Sequence, residues 1–261
     1  MPTQDLHNTA DQQFVLWKRL FPLYRWSIIA PYLALSTLVI GTTIVPIALA
    51  GFPVWASRVL GRLWARTNMA VSLIEVSVIG AHKVDPSRSY VIVANHQSLV
   101  DIYVLYGHLR DIKWVMKKEL RAIPVLGAAC EAMGHIIIDR SNTEAAVQSI
   151  NDARAHIRDG ISIVFFPEGT RSRNGELGTF KKGAFRLAQE LGIPVLPLTI
   201  HNTHRVLPSD TTDIVPDKVR LEFNEPIETT ALSSDDIAQL TAQSRETILA
   251  ALTRGTTGAA P

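Results

Sequence analysis

The sequence contains one cysteine, Cys130, among 261 residues. An intramolecular disulfide is therefore excluded, and the chain suits a reducing compartment. No group of Cys, His, Asp and Glu has the spacing of a metal site. The Gly-x-Ser-x-Gly motif that carries the nucleophile of many lipases and thioesterases is absent as well. These absences disfavour a metalloenzyme and a serine hydrolase.

The sequence also has little net charge, with a formal value of only +2. The basic residues are concentrated in the middle of the chain, which suits an anionic ligand or an anionic membrane surface. Nucleic acid is disfavoured as a partner, since no basic stripe is interleaved with aromatic residues and no binding motif is present. The clustered basic residues are Lys113, Lys117, Lys118, Arg121, Arg140, Arg171, Arg173, Lys181, Lys182 and Arg186.

Charge is missing altogether from residues 26–57, which Arg25 and Arg58 bracket. As one helix the run would extend ~45 Å, enough to cross a hydrocarbon core of about 30 Å as a tilted span. Glycines and prolines within the run favour instead two shorter helices that dip into one leaflet. Basic residues on both flanks favour the pair too, because they tend to remain on the cytoplasmic side. The interrupting residues are Pro31, Gly41, Pro46, Gly51 and Pro53.

The rest of the chain predicts an α/β fold, in which a mostly parallel central sheet is covered by helices on both faces. Apolar runs typical of strands occupy residues 71–79, 90–94, 112–116, 136–139, 161–166, 195–200 and 219–223. Helical patterns occupy 143–157, 180–191 and 234–252, and a Gly- and Thr-rich tail from Thr253 is expected to be disordered. We therefore predict a membrane-embedded helical region at 1–66, an α/β domain at 67–230, and a C-terminal helix and disordered tail at 231–261.

A histidine and an aspartate, His96 and Asp101, stand five positions apart after the predicted strand at 90–94. Loops at strand ends often carry catalytic residues. Asp101 could accept a hydrogen bond from one ring nitrogen of His96 and leave the other nitrogen as a general base. The alternative is that Asp101 only caps the following helix and that His96 is an ordinary loop residue.

The sequence FPEGTRS at residues 166–172 follows the predicted strand at 161–166. Gly169 allows the backbone to approach a ligand closely. Thr170 offers a donor, and the planar guanidinium of Arg171 suits a phosphate. A basic surface turn is the alternative interpretation.

Four motifs in order make the chain resemble the glycerolipid acyltransferase family, and within it the bacterial 1-acylglycerol-3-phosphate acyltransferases. They run from His96 to Asp101, over 134–140 with the family's arginine at Arg140, over 166–171, and over 193–198. The second motif departs from the family at Ile137 or its neighbour, where Phe is common, and at His135, which adds a polar group. The resemblance covers residues 71–228 and leaves the N-terminal seventy residues outside.

The resemblance implies transfer of an acyl chain from an acyl thioester to the free sn-2 hydroxyl of 1-acylglycerol 3-phosphate, giving phosphatidic acid. His96 would be the base and Asp101 its orienting partner. Arg171 and then Arg140 would bind the phosphate, Gly169 and Thr170 would complete the cradle, Glu168 would orient it, and Lys118 and Lys182 are weaker candidates. No metal or organic cofactor is implied.

The implied partners are an acyl carrier protein or coenzyme A thioester as donor, a lysophospholipid acceptor and membrane lipid. The implied location is the cytoplasmic (inner) membrane, with the catalytic domain facing the cytoplasm. Another lysolipid, such as lyso-ornithine lipid, remains an alternative acceptor. A membrane thioesterase and a non-enzymatic anionic-lipid binding module remain alternative functions.

Overall fold

The structure, a computed structural model, describes residues 19–139, 157, 160–173 and 175–257. Within these residues the centre is a seven-stranded sheet with the order β1-β7-β6-β2-β5-β3-β4. Neighbouring strands are parallel, except that β6 and β7 are antiparallel. The strands are β1 (Glu75–Ile79), β2 (Val91–Ala94), β3 (Ile112–Lys117), β4 (Ile136–Ile138), β5 (Ser162–Phe165), β6 (Val195–His201) and β7 (Lys218–Phe223).

The helices surround this sheet and include two long N-terminal ones. They are α1 (Arg19–Leu49), α2 (residues 53–71), α3 (Val100–His108), α4 (Leu126–Ala132), α5 (Gly183–Leu191), α6 (Thr203–Val206) and α7 (Ile237–Thr257). Short 3-10 turns lie at Ala81–Lys83, Lys118–Ala122 and Ser234–Asp236. The helix predicted at 143–157 lies almost wholly outside the described residues.

Alternate residues of the central strands pack into two separate apolar layers. Val91 and Val93 of β2 belong to a buried cluster with α5 and α7. Ile92 and Ala94 of the same strand belong to the opposite cluster, which includes α3. The period of two follows from strand geometry. The predicted mostly parallel sheet with helices on both faces is confirmed.

The prediction that the first strand begins at Val71 is wrong, because α2 continues through that residue. The amides of Ser72 and Ile74 donate to the carbonyls of Asn68 and Met69, and Leu73 has a φ of 56°. This pattern is a left-handed helix end, which uses the backbone donors that a strand would need. The apolar residues before Glu75 thus belong to the end of α2 and its turn.

The C-terminal tail predicted from Thr253 is also corrected, since α7 remains helical through Thr257. Arg254 pairs with Glu222 of β7 at 3.2 Å. Gly255 lies so close to His201 that a Cβ there would be 2.5 Å from its Nδ1. These contacts with distant strands stabilise the helix end, and a local composition of small and polar residues does not reveal them.

The uncharged N-terminal run forms two helices, but the first of them is long rather than short. Helix α1 has 31 residues and is long and apolar enough to cross a membrane. It passes through Pro31, Gly41 and Pro46, with a π turn at Arg25–Ile29 just before Pro31. Pro31 has no backbone N–H to donate to the preceding turn. The interruption occurs only at residues 50–52, so the expected breaks at Pro31, Gly41 and Pro46 are wrong.

Helix α1 contacts the rest of the protein near both of its ends. Arg25 pairs with Asp213 at 2.9 Å. Near the other end, Ile44 packs in a buried cluster with Ala129 and Met133. Large apolar side chains on the two helices and their turn are nevertheless exposed: Leu20, Leu23, Trp26, Ile28, Leu35, Leu38, Val39, Leu49, Phe52, Trp55, Val59 and Leu63.

Helix α2, the second helix of the pair, contacts the sheet domain through arginines spaced one helical turn apart. Arg58 pairs with Asp111, and Arg62 donates to the carbonyl of Leu109. Arg66 donates to the carbonyl of Gly107 at 2.9 Å. The last carbonyls of a helix have no partner within it, so α2 supplies the donors that close the carboxyl end of α3.

Candidate active site

The candidate site lies at the carboxyl edge of β2 and β5, which are parallel neighbours with Val93 opposite Phe165. His96 comes two residues after β2, and Glu168 comes three residues after β5. Parallel strands bring their carboxyl ends to one edge, where α/β proteins bind ligands. The structure thus brings together the first and third sequence motifs.

His96 and Asp101 form a hydrogen-bonded pair, with 2.8 Å between Nδ1 and Oδ2. The same Oδ2 accepts the backbone N–H groups of Gln97 at 2.7 Å and Ser98 at 2.8 Å. Asp101 is fully buried at the start of α3, whereas the His96 side chain is 16% exposed. With Oδ2 as the acceptor, Nδ1 carries the donated hydrogen and Nε2 keeps a lone pair for a substrate.

The ring of His96 is held from one side by Phe166. The two rings are stacked, with centroids 3.9 Å apart and planes 11° from parallel. Trp114 of β3 lies behind Phe166 at 5.8 Å. This stacking fixes the plane of the imidazole.

Glu168 contacts the backbone of the loop that carries His96. One carboxylate oxygen accepts the N–H of His96 and the other accepts the N–H of Gly178, each at 2.8 Å. The N–H of Ser172 donates to the carbonyl of His96, also at 2.8 Å. Burial raises the pKa of Glu168, and the two backbone donors oppose that rise. This contact with His96 was not predicted, because a motif does not reveal which backbone amide its carboxylate meets.

The loop after β5 lines an open cleft of about 550 Å³. Gly169 has a φ of +79°, and its N–H donates to the carbonyl of Phe166. The cleft is lined by Glu168, Thr170, Ser172, Arg173, Glu176, Leu177, Gly178, Thr179 and Lys181. Predicted cradle residues Glu168 and Thr170 therefore share this surface with Lys181 and Arg173, which the sequence showed only as part of the basic cluster.

The other predicted phosphate ligands differ in burial and in partners where the structure describes them. Arg171 is half-buried, and none of the carboxylates in the described ranges pairs with it. Lys118 donates to Asp139 at 2.6 Å, which raises the pKa of the lysine. Lys182 is exposed immediately before α5. Arg140 lies outside the described residues.

A side-chain network that the sequence did not predict joins the loop that carries His96 to β6 and to the cleft. Gln97 donates through Nε2 to the carbonyl of Gly175 at 2.7 Å. Its Oε1 lies 3.2 Å from Nδ1 of His204, whose pKa is lowered by burial. Asn95 exchanges two 2.8 Å hydrogen bonds with the backbone of Ile200. Their only sequence signal was polarity at strand ends.

Residues 75–201 match the family model described as Acyltransferase. The chloroplastic 1-acyl-sn-glycerol-3-phosphate acyltransferase BAT2 of Brassica napus is 34% identical over 170 residues, which are 64% of this chain and 49% of that protein. The 1-acyl-sn-glycerol-3-phosphate acyltransferase alpha of Ovis aries is 33% identical over 181 residues, 67% of this chain and 62% of that protein. The chain thus spans less than two thirds of either relative.

A crystal structure gives a further comparison that covers more of the chain. The 1-acyl-sn-glycerophosphate (LPA) acyltransferase PlsC of Thermotoga maritima aligns with a TM-score of 0.63 and 25% identity. The alignment covers 84% of this chain and 96% of that one. The match therefore extends beyond the residues that the family model covers.

Proposed function

Since this chain belongs to the acyltransferase family through residues 75–201, we propose that it acylates the sn-2 hydroxyl of 1-acylglycerol 3-phosphate with an acyl thioester. The product would be phosphatidic acid, an intermediate of phospholipid biosynthesis. The observation that carries the proposal is the His96–Asp101 pair, whose Nδ1–Oδ2 distance is 2.8 Å and whose Nε2 is left for a substrate proton. The curated relatives described above carry the name of this activity.

In the proposed reaction, Nε2 of His96 removes the proton of the glycerol hydroxyl while the oxygen attacks the thioester carbonyl. The tetrahedral intermediate collapses, the carbon–sulfur bond breaks, and the imidazolium returns the proton to the thiolate. Asp101 stabilises the imidazolium through the bond at Nδ1, and Phe166 fixes the plane of its ring. General base catalysis of this kind contributes ~10² to 10⁴ in rate. No step requires a metal or an organic cofactor.

The acceptor phosphate is proposed to bind on the loop after β5. Arg171 is the first candidate, because it is half-buried and none of the described carboxylates neutralises it. Gly169 and Thr170 would contribute close backbone approach and a hydroxyl donor. Arg140 is the second candidate on the strength of the sequence motif. Lys118 is weaker, because Asp139 already occupies its ammonium, and Lys182 is a surface lysine.

The proposed donor is an acyl carrier protein thioester or a coenzyme A thioester, and the basic loop suits the phosphate groups of either. A radiolabelled acyl thioester of each kind, offered with a panel of lysolipids, tests donor and acceptor together. Labelled phosphatidic acid from lysophosphatidic acid is the expected product. Transfer to lyso-ornithine lipid alone would replace the acceptor. Free fatty acid as the sole product would indicate a thioesterase, and binding without turnover a lipid-binding module.

The matched control for this assay is His96→Ala, which removes the proposed base and leaves unchanged the loop after β5 that is proposed to bind the phosphate. We expect transfer to fall below a tenth of wild type, with unchanged membrane binding. A variant that kept more than a tenth of the activity would refute His96 as the base.

We also propose that the protein lies on the cytoplasmic (inner) membrane, with the catalytic domain facing the cytoplasm. The exposed apolar side chains of α1 and α2 would enter the lipid. Helix α1 contacts Asp213 near one end and Ala129 near the other. If α1 crossed the membrane perpendicular to its plane, these contacts would place part of the catalytic domain inside the bilayer. The geometry therefore favours a helical pair embedded in one leaflet.

Single cysteines at Gln12 and at the exposed Ala70, in a Cys130→Ser background, test this arrangement. An impermeant thiol reagent should label neither site in intact cells and both after the membrane is opened. Labelling of the Gln12 site alone would establish a crossing, and labelling of both would place the domain outside.

A further inference from the structure

The peptide group between Leu177 and Gly178 is held from both sides by opposite charges. Arg245 of α7 donates through Nη2 to the carbonyl of Leu177 at 2.7 Å. The N–H of the same peptide group, which belongs to Gly178, donates to Glu168 at 2.8 Å. A cation at the carbonyl and a carboxylate at the N–H polarise a peptide in the same direction, so each bond strengthens the other.

This peptide is connected directly to the catalytic histidine. The second oxygen of Glu168 accepts the backbone N–H of His96 at 2.8 Å. Arg245 also donates through Nε to the carbonyl of Gly178 at 2.8 Å. One guanidinium thus holds two successive carbonyls, which a lysine ammonium on a flexible stem cannot match.

We propose that Arg245 is a positioning residue for acyl transfer, which holds the Leu177–Gly178 peptide so that Glu168 keeps His96 in place. This inference rests on the proposed function of the His96 site. It makes α7 a working part of the site, although the family match ends at residue 201. Arg245 touches neither the reacting atoms nor His96 itself, and acts only through the peptide and Glu168.

The first test compares Arg245→Met and Arg245→Lys with a control on the same helix, Arg254→Met. Arg254 pairs with Glu222 at 3.2 Å, away from the cleft loop. We expect Arg245→Met to lower kcat about tenfold to a hundredfold, as for a slightly misplaced catalytic group, with little change in KM for the thioester. Arg245→Lys should recover part of the loss, and Arg254→Met should leave kcat unchanged. Equal effects of the two Met variants would overturn the proposal.

The second test asks whether Arg245 acts through Glu168. Groups that work as one unit give non-additive effects in a double-mutant cycle. In a Glu168→Gln background, Arg245→Met should therefore lower kcat by less than about twofold. Independent, multiplicative losses in the double variant would show that Arg245 acts elsewhere.

A third measurement does not depend on catalysis, so it separates this inference from the proposed function. Amide hydrogen exchange should rise at His96 and Gly178 in Arg245→Met, and should stay at the wild-type rate there in Arg254→Met. Unchanged exchange in Arg245→Met would overturn the clamp even if transfer were observed. Absence of transfer in the wild-type protein would instead overturn the proposed function, while exchange still tested the clamp.

Discussion

Replacement of Asp101 by Asn probes the site most sharply, because one buried oxygen serves three donors. Oδ2 accepts His96 Nδ1 at 2.8 Å, Gln97 N–H at 2.7 Å and Ser98 N–H at 2.8 Å. The other oxygen, Oδ1, is buried and has no hydrogen-bond partner within the described part of the chain. The new amide therefore has two poor orientations.

If the Asn oxygen stays at the Oδ2 position, its NH₂ occupies the buried site that offers no acceptor, which costs about 1 to 3 kcal/mol. If the amide turns round, its NH₂ faces two backbone N–H groups and drives His96 to the tautomer with the hydrogen on Nε2. That tautomer cannot accept the substrate proton. In either orientation the imidazolium loses its anionic partner, a bond worth about 1.5 to 3 kcal/mol, or roughly tenfold to 150-fold in rate at 1.36 kcal/mol per factor of ten.

We therefore expect Asp101→Asn to lower kcat by roughly tenfold to 150-fold and to destabilise the fold by about 1 to 3 kcal/mol. KM for lysophosphatidic acid should change little, because the phosphate loop is intact. Initial rates with a labelled thioester measure the first effect, and chemical denaturation in detergent measures the second. A folded variant with kcat within tenfold of wild type would refute the assigned role of Asp101.

Further predictions concern the phosphate and the pH dependence of stability. Arg171→Ala should raise KM for lysophosphatidic acid, because a hydrogen bond worth about 1.5 to 3 kcal/mol of binding is lost. Arg171→Lys should recover only part of that binding. Equal KM values for Arg171→Ala and wild type would show that the phosphate binds elsewhere. Lys118→Ala should raise the same KM less than Arg171→Ala does, because Asp139 occupies its ammonium; a larger rise would reverse their order. Burial lowers the pKa of His135 to about 3. As the pH falls below about 6.5, this histidine is therefore protonated in the unfolded chain before it is protonated in the folded protein. The free energy of unfolding should then fall by about 1.4 kcal/mol per pH unit. Chemical denaturation between pH 6.5 and 4.5 should show a flatter decline for His135→Gln than for wild type.

Local patterns predicted the parts of this fold that depend on near neighbours. The strand-like runs reappear as β1 to β7 with small shifts, and the polar residues after β2 and β5 meet because parallel strands end at one edge. Pairing direction was less accessible. Nothing in the composition of residues 219–223 distinguishes β7, which runs antiparallel to β6, from the parallel strands.

The site divides in the same way. The motif spacing predicted the bond between His96 and Asp101, which involves a separation of five residues. The contact of Glu168 with His96 spans 72 residues, and that of Arg245 with Leu177 spans 68. Contacts of this kind depend on how loops and helices pack in three dimensions, so a single sequence carries no periodic signal for them. The substrate-binding roles assigned to the basic residues stay predictions.

The arginines of α2 limit how far this protein can be truncated at its N-terminus. The family match begins at residue 75, yet Arg58, Arg62 and Arg66 lie before it and supply donors at the end of α3. The helix that they close begins next to Asp101. A chain shortened to the matched residues would leave those carbonyls bare and expose Tyr106, against which Gly61 packs. The residues that match the family model are thus fewer than those that complete the packing around α3.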